Sequence, residues 1–535
     1  MTNKLSAKLM LGKHIYIYIY IYILCLCVGI TSIVLRFPQN ETNNYVNSDA
    51  TWHTLLTIEA YQETPPSIHK FLPIVTIGEK GIPWGLTVPD TYGNYYYTSF
   101  SPAGYVLPYA FMRICNLPIN EQSLYIFNSL LYLLSFTLVM LLLLRLFDKK
   151  LPKPLIVAIS ALYLFQPEIM HGQGVVYWHQ SLFQVIFLLQ LLLFINLKGR
   201  LRLLLFFILC LIAPYVEWTG YLGNIGFALA FFMQRGNLLV NKKQITISTN
   251  ALIKSLSTLI ITVVSFALFC LHYLTVLDKR SFFKALFLRF FSRTGFSSAK
   301  SSLVQLLVGY INSFGILLIL VLILSISLII FKPVRRILVK TIPQFRIILF
   351  IAFFIMIENL LMLNHAVTYR YDQMKLIFPI LIILTVCISS LYKFFISQKS
   401  HRIIHTIVCI CIVFVSLMNL SSYVTDNTTF KWEAPYLKNN RDIVTSLESE
   451  YPIENTLYVQ KTDARGYASL IFGHGIYDGV WTIEKAISIA KEENKRYIIM
   501  FQSVFAKCNM DDYRDFIIYD TLENKQIVTA DKNEP

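Results

Sequence analysis

Eleven apolar runs, most of them close to the length that crosses a membrane, recur along this 535-residue chain and restrict its fold more than any other feature. A helix needs about 20 apolar residues to span a hydrocarbon core ~30 Å thick. The runs lie near 14–35, 121–147, 152–167, 176–197, 202–216, 219–233, 254–277, 302–331, 344–363, 374–396 and 403–422. The chain is 55% hydrophobic and only 15% charged, which excludes a soluble multi-domain protein. The sequence therefore predicts a polytopic α-helical membrane protein with about 11 transmembrane helices. In the first run, "HIYIYIYIYILCLCVGITSIVLRF", Ile and Tyr alternate as in a strand. Both phases are apolar, so no polar face exists, and the run reads as a spanning helix. Its length and the lack of a small-residue cleavage site argue against a removed signal peptide.

The formal charge is +16, but its placement speaks against a nucleic-acid partner. From Phe430 onward 13 Lys and Arg face 17 Asp and Glu, so the tail is acidic and the membrane part carries all the excess. That excess sits in short clusters between apolar runs, as topology signals do. With a cytoplasmic N-terminus, the inner loops hold Arg145/Lys149/Lys150/Lys153, Lys198/Arg200/Arg202, Arg235/Lys242/Lys243, Lys332/Arg335/Arg336/Lys340 and Lys393/Lys399/Arg402. The outer connections near 168–175 and 217–220 hold no Lys or Arg. One outer segment breaks the pattern. "LDKRSFFKALFLRFFSRTGFSSAKSS", 277–302, carries Lys279, Arg280, Lys284, Arg289, Arg293 and Lys300. Either the helix count is off by one, or this charge has a purpose on the outer side. Seven of the nine cysteines fall in apolar runs, and no disulfide or zinc spacing exists, so no metal or other cofactor is expected.

Two outer regions are long. Residues 36–120 form a loop, and 423–535 form a polar tail after the membrane domain of 1–422. In the tail, "NTLYVQ" and "RYIIMFQ" read as strands around an amphipathic helix, "TIEKAISIAKEENK", which predicts a small external α/β domain.

The loop begins "NSDATWHTLLTIEAY", where Asp49, Trp52, His53 and Leu56 share one face of an amphipathic helix. Asp49 is either an N-cap or an acid with chemistry to do. After a Gly/Pro-rich turn, "KGIPWGLTVPD", comes "TYGNYYYTSFSPAGYVLPYAF". There Ser101-Pro102 reads as the start of a second helix along the membrane face, and Tyr95, Tyr96 and Tyr97 suit the interface. A cytoplasmic N-terminus, a large first outer loop with an acid opening a helix, and "YTSFSPAGYVLPY" before the second span together resemble the GT-C superfamily of integral-membrane glycosyltransferases. Its members include protein O-mannosyltransferases and lipid A aminoarabinose transferases. One departure is that Ala50 follows Asp49 where relatives often carry a second acid.

The resemblance implies transfer of a sugar from a polyprenyl-phosphate-linked donor to an acceptor at the outer membrane face. The acceptor, a glycan, lipid or protein, is left open. A hydroxyl is a poor nucleophile at neutral pH and needs a carboxylate to take its proton, which makes Asp49 the candidate base with His53 beside it. Tyr97 and Ser99 follow as substrate contacts. The departing lipid phosphate needs cations. Arg280, Arg289 and Arg293 of the basic segment supply some, and "NHAVTYRYDQMKLIFPILI" supplies His365, Arg370 and Lys375. The alternative for Arg370 and Lys375 is that they reach lipid head groups. In "FQPEIMHGQGVVYWHQ", Glu168 matches the place of a second acid, while Glu217 and Glu358 stand near outer helix ends. A bacterial inner membrane, with the tail periplasmic, is the expected location. A transporter or flippase would show repeated halves and charges at the midplane, and neither is visible. A polysaccharide polymerase would carry its large loop late in the chain.

Overall fold

The computed structural model describes residues 2–37, 47–78, 87–197, 199–234, 249–294, 301–341, 345–395, 398–429, 448–460, 469–470, 473–477, 480, 482–501 and 516–529. Among the described residues six helices are long and apolar enough to cross a bilayer: Tyr16–Arg36, Glu121–Phe147, Thr249–Leu274, Leu303–Ile330, Arg370–Phe394 and Ser400–Val424. A pair bent by 65°, Lys153–Tyr163 and Pro167–Val175, adds a seventh if it is counted as one span. The apolar runs are helical, and among the described residues six or seven of the expected 11 or so are long and apolar enough to count as spans. The physical reasons are local. Arg200–Val216 has 17 residues and carries Pro214, so it rises only ~25 Å. The run near 344–363 breaks into Arg346–Phe354 and Ile357–Leu361, where Glu358 and Asn359 interrupt it.

Arg370–Phe394 and Glu121–Phe147 form the protein's centre, with 78% and 56% of their apolar windows buried. Tyr16–Arg36 and Ser400–Val424 are only 11% buried, so they lie at the rim and turn Ile, Leu and Val outward, as lipid-facing helices do.

The described parts of the 36–120 loop are more deeply built in than their sequence implies. Helix Ser48–Glu63 is not amphipathic in place, since 12 of its 16 residues are buried. It packs between Ala103–Ile114 and Glu121–Phe147, and its Thr51 hydroxyl accepts the Tyr177 N–H at 3.0 Å. The Gly/Pro-rich turn falls mostly outside the described residues. Its end, Thr87–Pro89, pairs antiparallel with Tyr95–Tyr97 as a hairpin. Asp90 fixes the turn by accepting from the Tyr92 and Asn94 N–H groups at 2.8 and 2.9 Å. The hairpin draws Tyr96 and Tyr97 inside, away from an interfacial position. Ala103–Ile114 is amphipathic, with Tyr105, Pro108 and Met112 inward. Ser101 does not cap it but donates to the Pro214 carbonyl at 3.1 Å.

Gly104 explains part of the "SPAG" element. A Cβ there would fall within the His179 ring. Gly104→Val should therefore cost about 1–3 kcal/mol, the usual range for overpacking. A lowered thermal midpoint of the purified protein in detergent would register it, and an unchanged midpoint would contradict this packing.

In the tail, the expected strands appear as Thr456–Gln460 and Tyr497–Phe501, parallel and joined through helix Ile483–Glu492. Phe516–Asp520 and Lys525–Thr529 add two antiparallel strands that the sequence reading passed over. The tail meets the first outer loop directly. Gly78, at φ 62°, packs on the backbone of Gly473 and His474 with no room for a side chain.

Candidate active site

The segments expected on the outer side converge on one cavity of about 470 Å³. Asp49, His53, Tyr97, Arg289, Arg293 and His365 all line it, together with Phe100, Trp178, Asn364, Tyr369 and Tyr371. Asn47, with φ 64°, takes the N-cap position of Ser48–Glu63 but makes no capping bond. Its side chain instead donates to the Thr368 carbonyl at 3.3 Å and accepts the Arg370 N–H at 3.2 Å. This ties the start of the helix to the 368–370 strand of chain. Asp49 therefore sits inside the first turn, not at the cap. It faces the cavity, where its carboxylate accepts the Tyr369 hydroxyl at 3.3 Å. Four residues on, His53 meets the Tyr97 ring edge-on at 4.5 Å between centroids. Trp52 turns away and donates to Glu121 at 2.7 Å.

The basic segment forms helix Lys279–Thr294 and supplies the opposite wall. The Arg289 guanidinium lies 4.9 Å from the Tyr97 ring centroid, and that of Arg293 lies 4.1 Å from the Phe100 centroid. Arg293 also donates to the Tyr97 hydroxyl at 3.3 Å and to the Ser99 carbonyl at 3.4 Å. Both cations are thus aimed by aromatic faces, the geometry a guanidinium favours. Arg280 stands at the exposed start of the helix, outside the cavity. Ser99 is buried beside it and borders an apolar groove of about 160 Å³ that shares both arginines. Trp218, Phe266, Leu286, Phe287, Phe290 and Met362 form the rest of that groove.

Three expected site residues are engaged elsewhere. Arg370 donates through Nε and Nη2 to Oε1 of Glu168, at 2.8 and 2.6 Å. Glu168 is fully buried. Lys375 is buried against Glu358 and donates to Asn359 at 3.0 Å. An ionisable group at membrane depth needs such a partner, and each of these ions has found one. Glu217, in the connection between two apolar helices, is also buried, near His179. Burial first, then Glu358 and Asp372 nearby, raises its carboxyl well above the usual range.

Asp372 was not among the expected site residues. It is buried, accepts from Gln180 at 2.5 Å, and lies 2.5 Å from His365 Nδ1. An acid between two cations at the edge of an apolar run was the available signal. Phe100 was equally hidden, because aromatic residues are common throughout this chain. Among the described residues no three His, Cys, Asp or Glu side chains gather closely enough to hold a metal ion. A larger hollow of about 580 Å³ lies between Leu303–Ile330, Ile377–Phe394 and Gln398–Thr429, but its lining is almost wholly Leu, Ile and Val and offers no chemistry.

This architecture, with the first long loop, the basic helix and the 364–371 segment folded over one polar cavity, is similar in fold to solved structures of an archaeal oligosaccharyltransferase. The solved structures it resembles include the oligosaccharyltransferase of Archaeoglobus fulgidus in the apo form, at TM-score 0.54 and 11% identity over 90% of this chain and 69% of that one. They also include the same archaeal enzyme, AglB, in complex with an inhibitory peptide and a dolichol-phosphate, at TM-score 0.52 and 12% identity over 90% and 69%. No protein-family model matches the sequence, and a search of the curated proteins finds no match.

Proposed function

We propose that this integral membrane protein is a glycosyltransferase that moves a sugar from a polyprenyl-phosphate-linked donor to an acceptor hydroxyl. The observation that carries this reading is the cavity itself, where one carboxylate, Asp49, faces two guanidiniums, Arg289 and Arg293. The arginines hold the donor phosphate, because a planar fork bonds two phosphate oxygens at once and meets the charge that grows as the phosphate leaves. The apolar groove beside them takes the first part of the lipid chain. Asp49, steadied by Tyr369, takes the proton of the acceptor hydroxyl as it attacks the anomeric carbon. His53 and Tyr97 form the wall against which the sugar lies. The likeness to an oligosaccharyltransferase solved with a dolichol-phosphate supports the choice of donor class.

The test is direct. Full-length protein in liposomes is given a panel of radiolabelled hexosyl-phosphoryl-polyprenols, and release of polyprenyl phosphate is measured. Release that depends on the protein supports the reading, and none from any donor overturns it. Arg293→Lys sharpens the result. It keeps the charge and loses the fork, so the donor KM should rise about tenfold, the equivalent of one charge-assisted hydrogen bond. An unchanged KM would move the phosphate away from this wall.

A further inference from the structure

We propose that His365, positioned by Asp372, is the proton donor to the departing lipid phosphate. This rests on the transferase reading and adds to it a second proton-handling group.

The geometry that points there is a histidine built into a wall. His365 lines the cavity, and its Nδ1 lies 2.5 Å from Asp372 Oδ2. Nδ1–H donates to that carboxylate, which favours the imidazolium, and in that form the second N–H, on Nε2, is the one left to give. The second oxygen of Asp372 is held by Gln180, and the Asp372 carbonyl accepts from Asn359 at 3.0 Å. The carboxylate is therefore fixed before it fixes the ring, and such a partner sets both tautomer and orientation.

His365 is also in the right place between base and cations. Its ring lies tilted against that of Tyr369, 4.6 Å between centroids, and Tyr369 donates to Asp49. On its other side, Asn364 donates to the Ser292 carbonyl at 3.2 Å, which ties His365 to the neighbour of Arg293. Phe100 faces both Arg293 and His365. The imidazole thus borders the place where the phosphate sits.

The step balances without another reagent. The acceptor oxygen forms a bond to the anomeric carbon, and its proton goes to Asp49. The bond from that carbon to the phosphate oxygen breaks, with its electron pair going to the oxygen. That oxygen takes the proton from His365 Nε2. Water in the cavity then returns Asp49 and His365 to their starting states. The group that receives the proton is a phosphate monoester, which takes its second proton near ~6. The charged and titratable groups around the ring are Tyr369, Tyr371, Asp372 and Lys375 on its own side, Asp49 beyond Tyr369, Arg289 and Arg293 on the basic helix, Glu358 on Ile357–Leu361 and Tyr310 on Leu303–Ile330.

The test uses full-length protein in liposomes and the same hexosyl-phosphoryl-polyprenol panel. His365→Gln should lower kcat about 10²-fold, the low end for a general acid, with donor KM within about twofold. The fall of kcat/KM at alkaline pH should disappear, because the group whose deprotonation causes it is gone. Added imidazole should restore part of the activity of His365→Ala. In Asp372→Asn the alkaline fall should move to lower pH, because the lost carboxylate no longer favours the imidazolium. If that buried substitution prevents folding, the His365 variants decide alone. Active wild type with normal kcat and an intact alkaline fall in His365→Gln would overturn the proton-donor role and leave the transferase reading standing. Inactive wild type on every donor would remove both.

Discussion

Asp49→Asn should reduce transfer about 10³-fold while the protein still inserts and folds, within the usual size of general-base effects. The substitution is nearly isosteric. An amide oxygen can still accept the Tyr369 hydroxyl that now bonds the carboxylate at 3.3 Å, so the wall of the cavity stays in place. What disappears is the proton acceptor. The effect should exceed that of losing His365, because a neutral hydroxyl cannot attack well without its base, whereas a lipid phosphate is already a good leaving group. A purely structural role for Asp49 predicts the opposite result. Asn is as good as Asp near a helix N-terminus, and the cap position belongs to Asn47 in any case. Initial rates of polyprenyl phosphate release, normalised to folded protein, decide the matter, and near-normal rates would end the catalytic assignment.

Arg370→Met should destabilise the protein by roughly 3 kcal/mol, the lower range for stripping a buried ion of its partner. Glu168 has no exposed side-chain surface, and one of its oxygens receives both bonds from Arg370. Removing the guanidinium leaves a carboxylate in a dry site. Adding Glu168→Gln to the same chain should recover most of the loss, since no charge is then stranded. The donor KM should stay within about twofold, because a residue outside the cavity has little phosphate binding to lose. Thermal midpoints in detergent and donor kinetics in liposomes separate the two outcomes. A raised KM at unchanged stability would return Arg370 to the phosphate.

These residues show how far the sequence could be read. Asp49, His53, Arg289, Arg293 and His365 were each recognisable as polar residues in segments bounded by apolar runs, and they share one cavity. Arg370, Lys375 and Glu168 had the same signature and have different surroundings. Composition and spacing do not distinguish a cation facing a cavity from one facing a buried acid 202 residues away. The Ser48–Glu63 helix is a similar case. Its pattern suggests one wet face, and only the packing of two other helices on it makes nearly every face dry.

What the sequence alone determined is therefore the class of molecule: apolar runs of membrane-spanning length, basic clusters between them, an acid-bearing first loop and a small tail of strands around a helix. These are local properties, dictated by the cost of placing backbone and charge in hydrocarbon. Tertiary structure decided which runs were broken, which ions paired, and that Asp372 would stand behind His365 with Tyr369 between His365 and Asp49. Those contacts join residues up to 320 positions apart, and their energies depend on distance and burial, which no window of sequence contains.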